Sequence, residues 1–127
     1  MIDYVLDASA ILAELHREPG ADVVKAARRS ACMSAVNYAE VITKLIDDGV
    51  PPREAEVILE RLHCDVIDAD KYRSAVVGAL HVTTRRRGVS LGDRYCLQLA
   101  QELRLPLLTT DRGLTALDLG IEVTLIR

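Results

Sequence analysis

Five short apolar runs, separated by helix-forming stretches, decide what this chain can fold into. The runs are Ile2 to Leu6, Ala31 to Ser34, Cys64 to Ile67, Pro106 to Thr110 and Ile121 to Ile126. A strand buried on both faces of a parallel sheet reads as a short, mostly apolar segment, the profile of Ile2 to Leu6, and the other four are strand candidates. The stretches between them carry helical periodicity and stop signals. Ala8 to Arg17 and Ala21 to Arg29 are divided by the breaker Glu18-Pro19-Gly20. A helix over 36–48 has Tyr38, Ile42, Leu45 and Ile46 on one face and stops at Asp48-Gly49. Pro51-Pro52 opens the next, with Ala55, Ile58, Leu59 and Leu62 as its buried stripe. Asp68 or Asp70 caps a long helix with the stripe Tyr72, Ala75, Val76, Ala79 and Leu80, which runs out at Arg85-Arg86-Arg87-Gly88. From Leu91 to Arg104 another helix turns Cys96, Leu99, Ala100 and Leu103 inward. Strands alternating with helices predict a three-layer α/β/α architecture around a mainly parallel sheet of about five short strands. No linker, repeat or low-complexity segment interrupts the pattern, so one domain over residues 1–127 is expected.

Composition narrows the function classes. Half of the chain is apolar, which argues against disorder. Four Tyr and no Phe or Trp leave few platforms on which single-stranded bases could stack. The net charge of −3 means that any nucleic-acid contact must be local or assisted by cations. Three cysteines with no CxxC pair argue against a zinc site or a disulfide framework. With no leader-like or membrane-spanning run, a soluble cytoplasmic protein is expected.

Four acids stand where strands give way to helices. Asp7 and Asp111 each end an apolar run, and Glu40 and Asp93 fall three residues after the potential capping residues Asn37 and Ser90. In a parallel sheet all four positions lie on the carboxyl edge, where ligands of open α/β sheets bind. Taken singly, each acid reads as a helix cap or a capping box, worth roughly 0.3–1 kcal/mol at the positive end of the helix dipole. Capping alone does not require the small residues that crowd the acids. Ala8 and Ala10 flank Ser9, Ala39 precedes Glu40, and Gly92 precedes Asp93 at a helix cost of about 1 kcal/mol relative to Ala. Four carboxylates at one edge cannot all ionise without cations, and an oxygen-only donor set suits Mg²⁺ or Mn²⁺. His16, His63 and His81 lie away from these motifs and read as surface or packing residues.

The segments Val5-Leu6-Asp7-Ala8-Ser9-Ala10, Ser34-Ala-Val-Asn37-Tyr-Ala-Glu40-Val41, Leu91-Gly92-Asp93-Arg94-Tyr95-Cys96-Leu97 and Leu108-Thr109-Thr110-Asp111-Arg112 resemble, in order, the four acidic motifs of PIN domains. The resemblance is greatest to the VapC-type toxins of bacterial toxin–antitoxin pairs. It implies a Mg²⁺- or Mn²⁺-dependent endoribonuclease, held in check by a cognate antitoxin protein and forming a homodimer. Carried over, Asp7, Glu40, Asp93 and Asp111 become the catalytic, metal-holding quartet. Ser9, Thr110 and Asn37 become supporting groups that orient carboxylates or water. Arg94 and Arg112, each next to an acid, are candidates for substrate binding, whereas Arg28-Arg29 and Arg85-Arg86-Arg87 read as solvated helix ends. The alternatives are a PIN-domain nuclease or RNA-processing factor that is not a toxin, and a Mg²⁺-binding phosphoacceptor module. An aspartyl-phosphate phosphatase fits less well, because Ser9 stands where that chemistry wants a second acid.

Overall fold

The computed structural model describes residues 1–127. In chain order the elements are β1 (Tyr4–Leu6), α1 (Ala8–Leu15), α2 (Ala21–Ala27), β2 (Ala31–Ser34), α3 (Ala35–Asp47), α4 (Pro52–Glu60), β3 (Asp65–Ile67), α5 (Lys71–Thr84), α6 (Leu91–Leu103), β4 (Leu107–Thr109) and β5 (Val123–Leu125). Single 3₁₀ turns follow α2, at Arg28–Ser30, and β4, at Arg112–Ala116. The five strands form one sheet in the order β3-β2-β1-β4-β5, and every pairing is parallel. The expected α/β/α architecture is therefore observed.

Adjacent strand residues feed opposite cores, as the pleat requires. Leu6, Met33 and Leu108 join the core beneath α1 to α4, whereas their neighbours Val5, Cys32 and Leu107 join the core beneath α6. This double burial is why the inner strands β1, β2 and β4 read as apolar runs, whereas the edge strands β3, with Asp65 and Val66 exposed, and β5, half-buried throughout, carry polar residues. Along α6, Cys96, Leu97, Gln98, Leu99 and Ala100 are all buried, because the helix packs on β1, β2 and β4 and is flanked by α3 and α5. No helix of the chain is long and apolar enough to cross a membrane.

Two helices depart from the sequence expectation. In α3 the cap is Ser34, whose Oγ accepts from the Val36 N–H at 3.1 Å, so Asn37 lies inside the first turn rather than capping it. The helix is rotated accordingly. Asn37, Val41 and Leu45 form its buried line, Tyr38 and Ile42 are half-buried, and Ile46 is exposed. In α5 the expected stripe is only partly inward: Val76 and Leu80 are half-buried, Ala75 and Ala79 are exposed and Tyr72 is 73% exposed, while the fully buried residues are Val77 and Thr84. The α5–α6 contact is polar, and that sets the rotation. Ser74 Oγ bonds the Tyr95 hydroxyl at 2.7 Å, and Arg73 donates to both Glu102 oxygens at 3.0 and 2.9 Å. A helix oriented by hydrogen bonds is not found by its apolar period.

Substitutions on α5 separate the two orientations. Val77→Ala is expected to cost about 2 kcal/mol through the methyl groups removed from the core. Tyr72→Ala should change stability by less than about 0.5 kcal/mol, as exposed substitutions do. Urea unfolding of the two variants measures both values.

Candidate metal and active site at the carboxyl edge of the sheet

The chain runs outward from β1 to β3 and then returns to place β4 beside β1, so the order reverses between β1 and β4. Ligands of open parallel sheets bind at the carboxyl end of such a switch point. Asp7 occupies it. It follows β1 directly, caps α1 and is only 4% exposed. Its Oδ1 accepts from the Ala10 N–H at 2.9 Å and the Ser9 hydroxyl at 2.6 Å, and its Oδ2 from the Thr109 hydroxyl at 2.5 Å.

Both hydroxyls are fully committed to this geometry. Ser9 Oγ also accepts from the Thr110 N–H at 3.1 Å, and Thr109 Oγ1 from the Asp111 N–H at 3.0 Å. Each hydroxyl has one proton, and each gives it to Asp7. Three of the roughly four lone-pair positions of a carboxylate are thus filled, and one on Oδ2 stays open. Burial pushes the Asp7 carboxyl above its usual range. The Ser9, Thr109 and Ala10 hydrogen bonds pull it down, and the neighbouring charge of Asp93 pushes it up again.

Asp93 arrives from the first turn of α6. Its Oδ2 accepts from the Ser90 N–H at 2.9 Å, while Ser90 Oγ accepts from the Asp93 N–H at 3.1 Å, so the expected capping box is present. Glu40 lies in the second turn of α3, is exposed, and serves no cap. Its Oε1 accepts from Asn37 Nδ2 at 2.7 Å. The carboxylate fills the place where a side chain on residue 92 would begin: a Cβ on Gly92 would fall 2.4 Å from both Glu40 oxygens. The small residue before Asp93 is thereby explained by the approach of Glu40.

Beneath the three acids sits the Cys96 thiol, 0% exposed, donating to the Asp93 carbonyl oxygen at 3.0 Å. Burial raises its pKa well above that of a free thiol, and the charges of Asp7, Asp93 and Glu40 all add to the effect. One buried sulfur thus lies within electrostatic reach of carboxylates from three separate parts of the chain. Asp111 stands apart. It caps the 3₁₀ turn through the Gly113 N–H at 2.8 Å, is exposed, and is not among the charges acting on Asp7 or Cys96.

No three His, Cys, Asp or Glu side chains converge closely enough to coordinate a metal as they stand. Like charges gain by turning apart, and Asp7, Glu40, Asp93 and Asp111 have each taken a local N–H or O–H as partner. For an oxygen-seeking divalent cation the donor set nonetheless fits. All candidate ligands are carboxylates, one Asp7 lone pair is open, and Gly92 leaves room for Glu40 beside Asp93. The edge is open to solvent. Grooves of about 500 and 710 Å³ lie elsewhere, by Arg104 and Glu122 and by Glu14 and Arg28.

Three residues, Thr110, Arg94 and Arg28, take roles other than those the sequence suggested. The hydroxyl on Asp7 belongs to Thr109, and Thr110 contributes its backbone N–H to Ser9 instead. Register explains it: Val5 pairs with Leu107 and Leu6 with Leu108, which brings Asp7 beside Thr109 on the same face. Arg94 turns away from the acids and donates to the Val77 carbonyl of α5 at 3.0 Å. Arg112 is exposed and makes no ion pair. Arg28 is structural, bonding Glu14 at 2.7 Å and the Leu62 carbonyl at 2.9 Å.

The raised Asp7 pKa has a definite sign in stability. The folded chain holds this proton more tightly than the unfolded chain, so stability falls as pH climbs from the ordinary carboxylate range through the raised value. Metal-free Asp7→Asn is therefore expected to melt above the parent at neutral pH, with the gap closing in mild acid. Thermal melts in EDTA across that range read the effect.

Comparison with known proteins agrees with this fold. The family model described as PIN domain matches residues 4–119. No match is found among curated proteins. Solved structures with the same fold include the DNA-bound VapBC from Salmonella typhimurium, 18% identical over 100% of both chains with a TM-score of 0.76. A toxin–antitoxin complex from Klebsiella pneumoniae is 17% identical over 98% of both chains, with a TM-score of 0.76. VapBC-1 from nontypeable Haemophilus influenzae is 20% identical over 99% of this chain and 98% of its own, with a TM-score of 0.70. With the family model spanning β1 to the segment before β5, the chain belongs to the PIN-domain family.

Proposed function

We propose that this protein is a VapC-type toxin, an endoribonuclease that depends on Mg²⁺ or Mn²⁺ and is inhibited by a cognate antitoxin protein. The observation that carries the reading is Asp7, buried at the switch point and oriented by two hydroxyls, with the charges of Asp93 and Glu40 acting together with its own on the buried Cys96 thiol. Solved structures of the same fold include a toxin–antitoxin complex and VapBC assemblies, which supports the partner. A cytoplasmic homodimer belongs to the same reading.

Asp7, Asp93 and Glu40 would hold the cation, with Asp111 at the margin. When bound, the cation offsets the charge of the phosphodiester and acidifies a water molecule for attack on phosphorus. Ser9 and Thr109 fix the Asp7 carboxylate and leave one Oδ2 lone pair uncommitted. Asp7 must be ionised to serve, and the two hydroxyl hydrogen bonds favour that form against the cost of burial. Exposed Arg112, beside the edge, is the side chain available to meet the phosphate backbone.

Purified protein with Mn²⁺ should cleave RNA, and EDTA should stop it. Asp7→Asn and Asp93→Asn are expected to lose at least ~100-fold in kcat/KM while keeping a folded circular dichroism spectrum, whereas Asp111→Asn loses less than ~10-fold. Cleavage persisting in both of the first two variants would refute the site. Growth arrest on expression, relieved by the neighbouring reading frame, would distinguish a toxin from another PIN-domain nuclease.

A further inference from the structure

Four buried polar atoms lack a hydrogen-bond partner, Glu14 Oε2, Asn37 Oδ1, Arg94 Nε and Gln98 Oε1, and Asn37 alone among these residues touches the acid edge. Asn37 is 1% exposed and sits in α3, one turn before Glu40 on the same face. Both hydrogens of its Nδ2 are used, one on Glu40 Oε1 at 2.7 Å and one on the Gly92 carbonyl of α6 at 3.1 Å. The same Glu40 carboxylate rests on the bare Cα of Gly92, where any Cβ would collide with it.

We propose that Asn37 and Gly92 form a latch that fixes the Glu40 carboxylate at the acid edge, which makes Asn37 a positioning residue for divalent-cation binding; this rests on the nuclease reading above. Packing does not account for the pair. An apolar side chain of similar volume would fill the Asn37 site without leaving Oδ1 unbonded in the interior. Helix propensity favours neither residue, since Asn and Gly are both inferior to Ala within a helix. What the two achieve together is specific. Glu40 is otherwise an exposed, flexible side chain, and the donor from α3 and the hollow in α6 select one position for it among many. The latch also ties α3 to α6, so the acids of both helices keep a common frame.

Asn37→Leu removes the donor and Gly92→Ala fills the hollow. In Gly92→Ala the collision is with the tip of a flexible side chain, so the fold is retained while Glu40 is displaced. Mn²⁺ titrations of the full chain, followed by electron paramagnetic resonance of the free ion, should show an affinity about tenfold weaker in each variant. Melting temperatures should stay within a few degrees of the parent. Steady-state RNA cleavage should show kcat reduced at low Mn²⁺ and restored at saturating Mn²⁺, with KM for RNA unchanged. The double variant should bind Mn²⁺ no more weakly than the weaker single variant, because both changes break one device. Folded variants with parental Mn²⁺ affinity, in a parent that binds the ion and cleaves RNA, would overturn the latch alone. A parent that neither binds Mn²⁺ nor cleaves would overturn the nuclease reading and the latch with it.

Discussion

The hydrogen bond from the Thr109 hydroxyl to Asp7 joins residues far apart in the chain across the line where the sheet reverses its order. Around it the fold holds a buried carboxylate on which opposing influences meet. Burial opposes ionisation of Asp7, the charge of Asp93 opposes it further, and the hydroxyls of Ser9 and Thr109 with the Ala10 N–H work the other way. A cap alone needs only one backbone donor. The two hydroxyls, each fixed in turn by a backbone N–H from the strand end, go beyond what capping α1 demands.

Helix α6 carries this arrangement to the rest of the molecule. It is buried along its middle, so its first turn is held against the sheet and against α3. That turn supplies Asp93 through its capping box and Gly92 through its missing side chain. The other face of α6 meets α5 through Tyr95, Arg94 and Glu102, a polar contact that fixes rotation by directed bonds. The thiol of Cys96, beneath three acids, is kept protonated by burial and by their charge, which suits a packing role rather than chemistry.

Much of this was legible in the residues. The inner strands could be found because burial on both faces leaves an apolar signature, and the edge strands β3 and β5 by their place in the alternation with helices. Asp7 and Ser90 declared themselves as caps by position, and of the two candidates Asp68 and Asp70 it is Asp70 that caps α5. Two kinds of feature were not. Where a helix is oriented by hydrogen bonds, as α5 is, the apolar period pointed to Tyr72 rather than Val77. Where two residues compete for one role, local sequence could not choose. Ser34 displaced Asn37 as the cap of α3, which freed Asn37 to bond Glu40. Thr109 and Thr110 are adjacent and chemically alike, and only the register of β4 against β1 shows which faces Asp7.

That the acids act as one centre is tested most directly by diffraction from crystals soaked in Mn²⁺, recorded at a wavelength where manganese scatters anomalously. The account predicts an anomalous peak between Asp7 and Asp93, with the Glu40 carboxylate turned toward it. Peaks confined to exposed acids such as Asp68 and Asp70, with none beside Asp7, would contradict it.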